Sequence, residues 1–398
     1  MIGGLKTAGA AKDWREEFAD FYAPGGPAPG GGDRVYLDCA AQGPFPRAAV
    51  RAVHQALELK QSPDRITTEI YFEYPQKTRE ALARLIGAEP VEIALTTGAS
   101  DGVNAVARGL AWQPGDEILL PAGEFPANYY PWKNLERRGV RVREAPASDG
   151  RFVTADDVVA QLNERTRLVA ASYVSYSSSN RLDLACLGAA CRARGVRLFV
   201  DASQAVGAVA FSVKELQCDF LTAAGYKWLF SPYGTGFFYI RRELIEELEV
   251  GDIRWLAVEG AENFNRLPRE NWQLVTEARR WDAAEVSNFL NLGAMRASLE
   301  FLLEVGVAEI ERHCAGLCEH LIERLPRDRC VLRSPRSPAQ RGPFVCVAAR
   351  TAERTAALWQ QLREKNIYVS LRQDALRVAP NIYNREWEID RLLAVLAE

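Results

Sequence analysis

Residues 196–240 read VRLFVDASQAVGAVAFSVKELQCDFLTAAGYKWLFSPYGTGFFYI. Two short apolar runs inside this stretch, LFV and FLTAA, end in polar groups: Asp201 after the first, Tyr226 and Lys227 after the second. Runs of this length, rich in β-branched and aromatic residues, predict strands buried in a parallel sheet. Open α/β sheets bind ligands just beyond the carboxyl ends of their strands, so a carboxylate at 201 and an amine at 227 are placed to converge on one ligand. A lone lysine after a strand is ordinarily a solvated surface charge. Here Gly225 and Trp228 flank it, and Pro232, Gly234 and Gly236 follow, which predicts a tightly packed turn instead.

DASQ followed by GYKWLFSPYGTGF resembles the cofactor segment of the class V aminotransferase and cysteine desulfurase family, fold type I enzymes that use pyridoxal 5'-phosphate. The resemblance runs from about Tyr36 to the C-terminus, and the segment from Asp201 to Lys227 is its most specific part. It implies an α/β fold type I transferase, with a mostly parallel central sheet in a large domain and a smaller α+β C-terminal domain. It also implies that Lys227 carries the cofactor covalently and that Asp201 pairs with its pyridine nitrogen. A lysine near its ordinary pKa of ~10.4 is protonated and not nucleophilic, so such a site needs a desolvated amine. An ionised carboxylate keeps the pyridine nitrogen protonated, and the protonated ring withdraws electrons from a carbanion.

The chain has 398 residues, more than the ~250–300 at which single cores stop growing, which predicts more than one domain. The expected division is 1–35, a short helix and a Gly/Pro-rich tether; 36–287, the large cofactor domain; and 288–398, the small domain. With 49 basic against 52 acidic residues, the formal net charge of −3 gives no footprint for nucleic acid, and a small-molecule amino acid is the expected partner. No window approaches the ~18 uninterrupted apolar residues of a membrane span, and the first residues lack the apolar core of a signal peptide, which predicts no membrane association and a cytoplasmic location. The eight cysteines show no CxxC spacing and read as buried reduced thiols. Cys314, Cys318, His313 and His320 share one helical stretch and cannot all converge on one ion, so no metal is expected.

Taken in order, DWREEFADFY predicts a short amphipathic helix, and APGGPAPGGGD a flexible tether. Tyr36-Leu37-Asp38-Cys39-Ala40-Ala41 is an extended piece similar to a family segment that passes the active site. The resemblance places backbone near Ala40 against the substrate; pairing with the small domain is the alternative. After a helix from Tyr74 to Ile86 and a strand Ile93–Thr96, TGASDG leads into a further helix. Small residues between a strand and a helix offer free N–H groups and a helix dipole to a phosphate, and Ala99 and Ser100 fall where the family holds the cofactor phosphate. Asp101 is expected to face away from that dianion. Phe125 stands where the family stacks an aromatic ring on the cofactor, a histidine in the cysteine desulfurases. Phenylalanine stacks but carries no proton.

A strand is expected over Leu168–Tyr176, with Tyr176 near a position where the family often has an Asn bonded to the cofactor's phenolic oxygen. Gln204 matches a family Gln that approaches the same oxygen. Ala224 replaces a phosphate-binding Ser of many relatives, and Tyr226 is the candidate substitute. RRELIEELEV reads as a helix closing the large domain. Glu285 lies where relatives reach the partner subunit's cofactor, and a carboxylate is a poor phosphate ligand. The family's arginine for the substrate α-carboxylate matches Arg377, a residue type suited to bidentate carboxylate recognition. Cysteine desulfurases carry a nucleophilic Cys on the loop before this arginine, and none of residues 369–376 is Cys. The reading is a homodimeric enzyme acting on an α-amino acid, an aminotransferase first, a cysteine desulfurase-like C–S lyase second and an epimerase third. A non-enzymatic binding protein with this fold is the alternative of a different class.

Overall fold

A computed structural model describes residues 12–23 and 34–398. Most of the expected tether, and the first residues of the expected N-terminal segment, lie outside the described residues. What is described of the first helix is a 3-10 turn, Trp14–Phe18, followed by one α-turn, Ala19–Tyr22.

After β1 (Val35–Tyr36) come the strands of a seven-stranded sheet: β2 (Ile93–Thr96), β3 (Glu117–Pro121), β4 (Arg141–Ala145), β5 (Thr166–Ser172), β6 (Arg197–Asp201), β7 (Phe220–Ala224) and β8 (Gly236–Ile240). Their order across the sheet is β2-β8-β7-β6-β5-β3-β4, with β8 antiparallel to its neighbours and every other pairing parallel. The apolar runs of β3, β7 and β8 are buried along their whole length, as strands covered on both faces by helices must be. Register aligns Ser172 with Asp201 and Asp201 with Thr222, so the carboxyl ends of β5 and β6 stand level and β7 runs two residues further, to Ala224.

The C-terminal part carries β9 (Cys330–Leu332), β10 (Val345–Ala349), β11 (Ile367–Tyr368), β12 (Ser370–Arg372) and β13 (Ala375–Val378). β12, β13, β10 and β9 form an antiparallel sheet in that order. β1 pairs in parallel with β11, and Val35 and Leu37 sit in the C-terminal core rather than the large one. The segment that opens the expected large domain is therefore stitched to the small one. The helix Phe289–Val305 buries its residues in the large core instead, and ends at Gly306, where φ is +84°.

Three local readings are corrected. The helix read from Tyr74 begins at Thr68, capped by the Thr67 hydroxyl, and carries Pro75 inside it. The strand read to Tyr176 stops at Ser172; Ser175 N–H then bonds the Asn180 carbonyl and the chain turns through Ser179 with φ +62°. RRELIEELEV forms only a 3-10 turn, Arg242–Leu244, because tertiary contacts claim its backbone: Arg280 donates to the Ile245 carbonyl at 3.0 Å and Glu249 N–H bonds the Gly109 carbonyl at 3.1 Å. No helix among the described residues is long and apolar enough to cross a membrane.

Candidate functional site

A cavity of about 170 Å³ lies at the carboxyl ends of β5, β6 and β7. Ala99, Ser100, Phe125, Tyr176, Asp201, Gln204, Tyr226 and Lys227 all line it, so the structure brings every candidate cofactor residue to one place. Asp201 ends β6 and is buried; its Oδ1 accepts from Ser203 N–H at 2.9 Å, and Oδ2 makes no hydrogen bond among the described residues. Lys227 lies in the turn after β7, with Nζ 5.6 Å from the centre of the Phe125 ring and 5.7 Å from that of Tyr226. Burial lowers its amine to about 8, against the opposing pull of Asp201. Low dielectric disfavours the ammonium form and leaves a nucleophilic amine within reach of neutral pH.

The lysine turn is held by close backbone approach. A Cβ at Gly43 would stand 2.3 Å from the Lys227 carbonyl oxygen, and one at Gly207, where φ is +88°, would stand 2.5 Å from that of Trp228. Both positions require glycine. Gly43 N–H also bonds the Tyr226 carbonyl at 2.9 Å.

On the opposite wall the helix Ala99–Gly109 starts directly after Gly98, and the Ala99 and Ser100 backbone sits in its first turn. Asp101 faces away as expected, its carboxylate accepting from the Thr97 N–H and hydroxyl at 2.7 Å. Phe125 is 40% exposed and meets Tyr176 edge-on, ring centres 5.1 Å apart. Gln204 is committed more than the sequence suggested: Nε2 donates to the Ala40 carbonyl at 3.0 Å, and Oε1 accepts from Trp228 Nε1 at 2.8 Å. An amide NH₂ has two donors, so one remains for the cavity.

Two candidates lie outside the lining. Ala40 is buried and its carbonyl accepts from Gln204 instead of opening to the cavity. Arg377, in β13, lies behind Tyr176: its guanidinium donates to the Tyr176 carbonyl at 3.2 Å and to Ser370 Oγ at 3.4 Å, with Asp38 Oδ1 at 3.7 Å. Its Nε is buried and has no hydrogen-bond partner.

Sequence reasoning missed Glu124. Its carboxylate accepts from Ser172 N–H at 2.7 Å, Ser172 Oγ at 2.5 Å and Asn128 at 3.0 Å, tying the loop of Phe125 to the end of β5. Burial raises its carboxyl to about 7 despite those bonds. Glu124 gave no signal in the sequence because its main partner lies 48 positions away.

Pyridoxal phosphate fits these groups: free helix N–H groups for a phosphate, a carboxylate with an open oxygen, an uncommitted amine and an aromatic face converge on one cavity. No thiol lines the cavity. Among the described residues no group of three or more His, Cys, Asp and Glu could hold a metal; His313 meets the Asn384 carbonyl and His320 meets Asp390.

The sequence profile of aminotransferase class-V matches residues 35–385. An isopenicillin N epimerase of Streptomyces clavuligerus is 30% identical over 91% of this chain and 94% of its own. A probable cysteine desulfurase of Methanothermobacter thermautotrophicus is 29% identical over 73% and 72%. Among solved structures, the apo cysteine desulfurase of Thermococcus onnurineus superposes with a TM-score of 0.80 at 23% identity, covering 91% of this chain and 94% of that one. A cystine C–S lyase bound to its product, cysteine persulfide, gives 0.81 at 24%, covering 93% and 99%. These two likenesses establish the fold.

Proposed function

Because the chain belongs to the class V aminotransferase family, we propose that it is a pyridoxal-phosphate-dependent enzyme that works at the Cα of an α-amino acid, with transamination as its reaction. The observation that carries the reading is the pairing of Lys227 and Asp201 in one cavity that no thiol lines. When bound, the cofactor supplies a sink for the electron pair left at Cα.

The rest of the work falls to the chain. Asp201 Oδ2 would hold the ring nitrogen protonated. Ala99 and Ser100 N–H groups would hold the phosphate, with Tyr226 beside them, and Phe125 would cover one ring face. The second N–H of Gln204 and the Tyr176 hydroxyl would meet the phenolic oxygen. Arg377, next to the cavity behind Tyr176, would be the residue that receives the substrate carboxylate. Lys227 Nζ, neutral above about pH 8, would take the Cα proton and return it.

A homodimer is part of the proposal. Trp255, Phe264, Leu267 and Trp272 are exposed on the irregular segment that precedes residues 278–285, and aromatic surface of this kind suits burial in an interface. A cytoplasmic location is supported by eight free cysteines, seven of them buried.

Epimerisation is the second reading, favoured by the relative from Streptomyces clavuligerus that bears that name. One experiment separates the two: an L-amino acid added to the loaded enzyme should release a 2-oxo acid and convert the absorbance to that of pyridoxamine phosphate, reversibly with an added 2-oxo acid. Appearance of the D-enantiomer with no 2-oxo acid would replace transamination by epimerisation. Asp201→Ala should fold and lose activity by about a hundredfold or more, an electrostatic contribution of the size seen at preorganised sites.

A further inference from the structure

A second cavity of about 550 Å³ adjoins the first, sharing Phe125, Ser172 and Tyr176 as walls. Its far side is built by the turn around Arg151 and by the C-terminal sheet, through Arg333 and the β12–β13 turn with Asp374. Resting on the proposed reaction, we propose that this cavity is the side-chain chamber of the substrate site, and that it takes an α-amino acid with an extended side chain ending in a carboxylate, anchored by Arg151.

Size sets the length of the side chain. A substrate the size of alanine would leave the larger chamber filled with water, whereas a longer side chain would extend past the shared wall into it. Charge sets its terminus. Arg333 pairs with Asp374 at 3.4 Å, which cancels both. The Glu124 carboxylate is turned to Ser172 and Asn128. Arg151 makes no ion pair among the described residues, its guanidinium lying 5.5 Å from the Phe152 ring centre, and it is the lining cation that no carboxylate engages directly.

The arginine stands on an organised turn. Asp149 Oδ1 accepts from the Arg151 and Phe152 N–H groups at 2.7 and 3.2 Å, and Asn180 Nδ2 fastens the Val153 carbonyl at 2.7 Å to the loop of Tyr176. The same loop presents the Ser175 and Ser177 hydroxyls along the path, 3.3 Å apart. Pre-placed donors lower the ordering cost of binding a flexible acid.

The test uses the loaded full-length enzyme and the series L-alanine, L-aspartate, L-glutamate and L-2-aminoadipate, with L-norleucine as the uncharged long control. KM and calorimetric affinity are measured for each. The expected result is a KM for L-glutamate or L-2-aminoadipate about tenfold or more below those of L-alanine and L-norleucine, as for one charge-assisted contact. Arg151→Ala, an exposed position, should erase that preference and change L-alanine by less than about twofold. Equal KM values across the series, or a preference that survives Arg151→Ala, would overturn the assignment of the chamber while leaving the reaction standing. No binding of any of the five would overturn it together with the reading on which it rests.

Discussion

Cys39 Sγ lies 3.9 Å from the carbonyl oxygen of Lys227, and Asn381 Nδ2 approaches the same sulfur at 3.1 Å. This thiol therefore meets the backbone of the lysine turn and does not line the cavity. Burial pushes it up to about 12, so the thiolate that sulfur transfer needs is scarcely populated at neutral pH.

The first prediction follows from that burial. Incubation with L-cysteine should add no 32-dalton increment (about one sulfur atom) to the intact mass, because a persulfide requires a thiolate that reaches the substrate sulfur. A persulfide mapped to Cys39 by peptide mass would contradict the geometry and promote the desulfurase reading.

The pH dependence of cofactor uptake is the second. Lys227 is depressed from its ordinary value of 10.5 to about 8, so below pH 8 the apo-protein amine is mostly protonated and above it mostly neutral. The loading rate with pyridoxal phosphate should rise about tenfold per unit below pH 8 and level off above it. A rise that continues to pH 10 would mean an amine with an ordinary environment.

Glu124 supplies the third. Its folded value of about 7 lies above its ordinary 4.5, so the folded state binds the extra proton between those limits. Its contribution to stability is then full below about 4.5, falls as pH rises through 7, and has a slope of up to about 1.4 kcal/mol per pH unit. Denaturant unfolding of the wild type and of Glu124→Gln from pH 5 to 8 should show that slope only in the wild type. Parallel curves would contradict a neutral buried Glu124.

Gly43 gives a fourth. Gly43→Ala would set a Cβ against the Lys227 carbonyl and the Phe230 ring. The variant should lose about 1–3 kcal/mol of stability and bind pyridoxal phosphate more weakly, since relief of the clash moves the lysine turn. Unchanged stability and affinity would show that the turn has room to spare.

What the sequence disclosed divides by distance along the chain. β6, β7 and the lysine turn were legible because each is a local pattern: an apolar run, a polar end, and glycines where backbones touch. The cavity walls 99–100, 125, 176 and 204 were legible through resemblance, which supplied the register that periodicity alone does not. RRELIEELEV misled because its composition favours helix, while Arg280, remote in sequence, claims the carbonyl of Ile245. Pro75 misled in the opposite sense, as it reads as a helix start yet sits inside one. The engagement of Ala40 by Gln204 was invisible for the same reason as the clamp of Glu124 on Ser172: each joins residues that only the folded sheet brings together.

The most direct measurement is the site of cofactor attachment. Purified protein incubated with pyridoxal phosphate, reduced with borohydride and digested should yield one pyridoxyl-labelled peptide with the label on Lys227, and the visible absorbance band should vanish on reduction. Lys227→Ala should take up no covalent label. A label on another lysine, or a wild-type protein that stays colourless and unlabelled with excess pyridoxal phosphate, would contradict the assignment of Lys227 as the cofactor lysine.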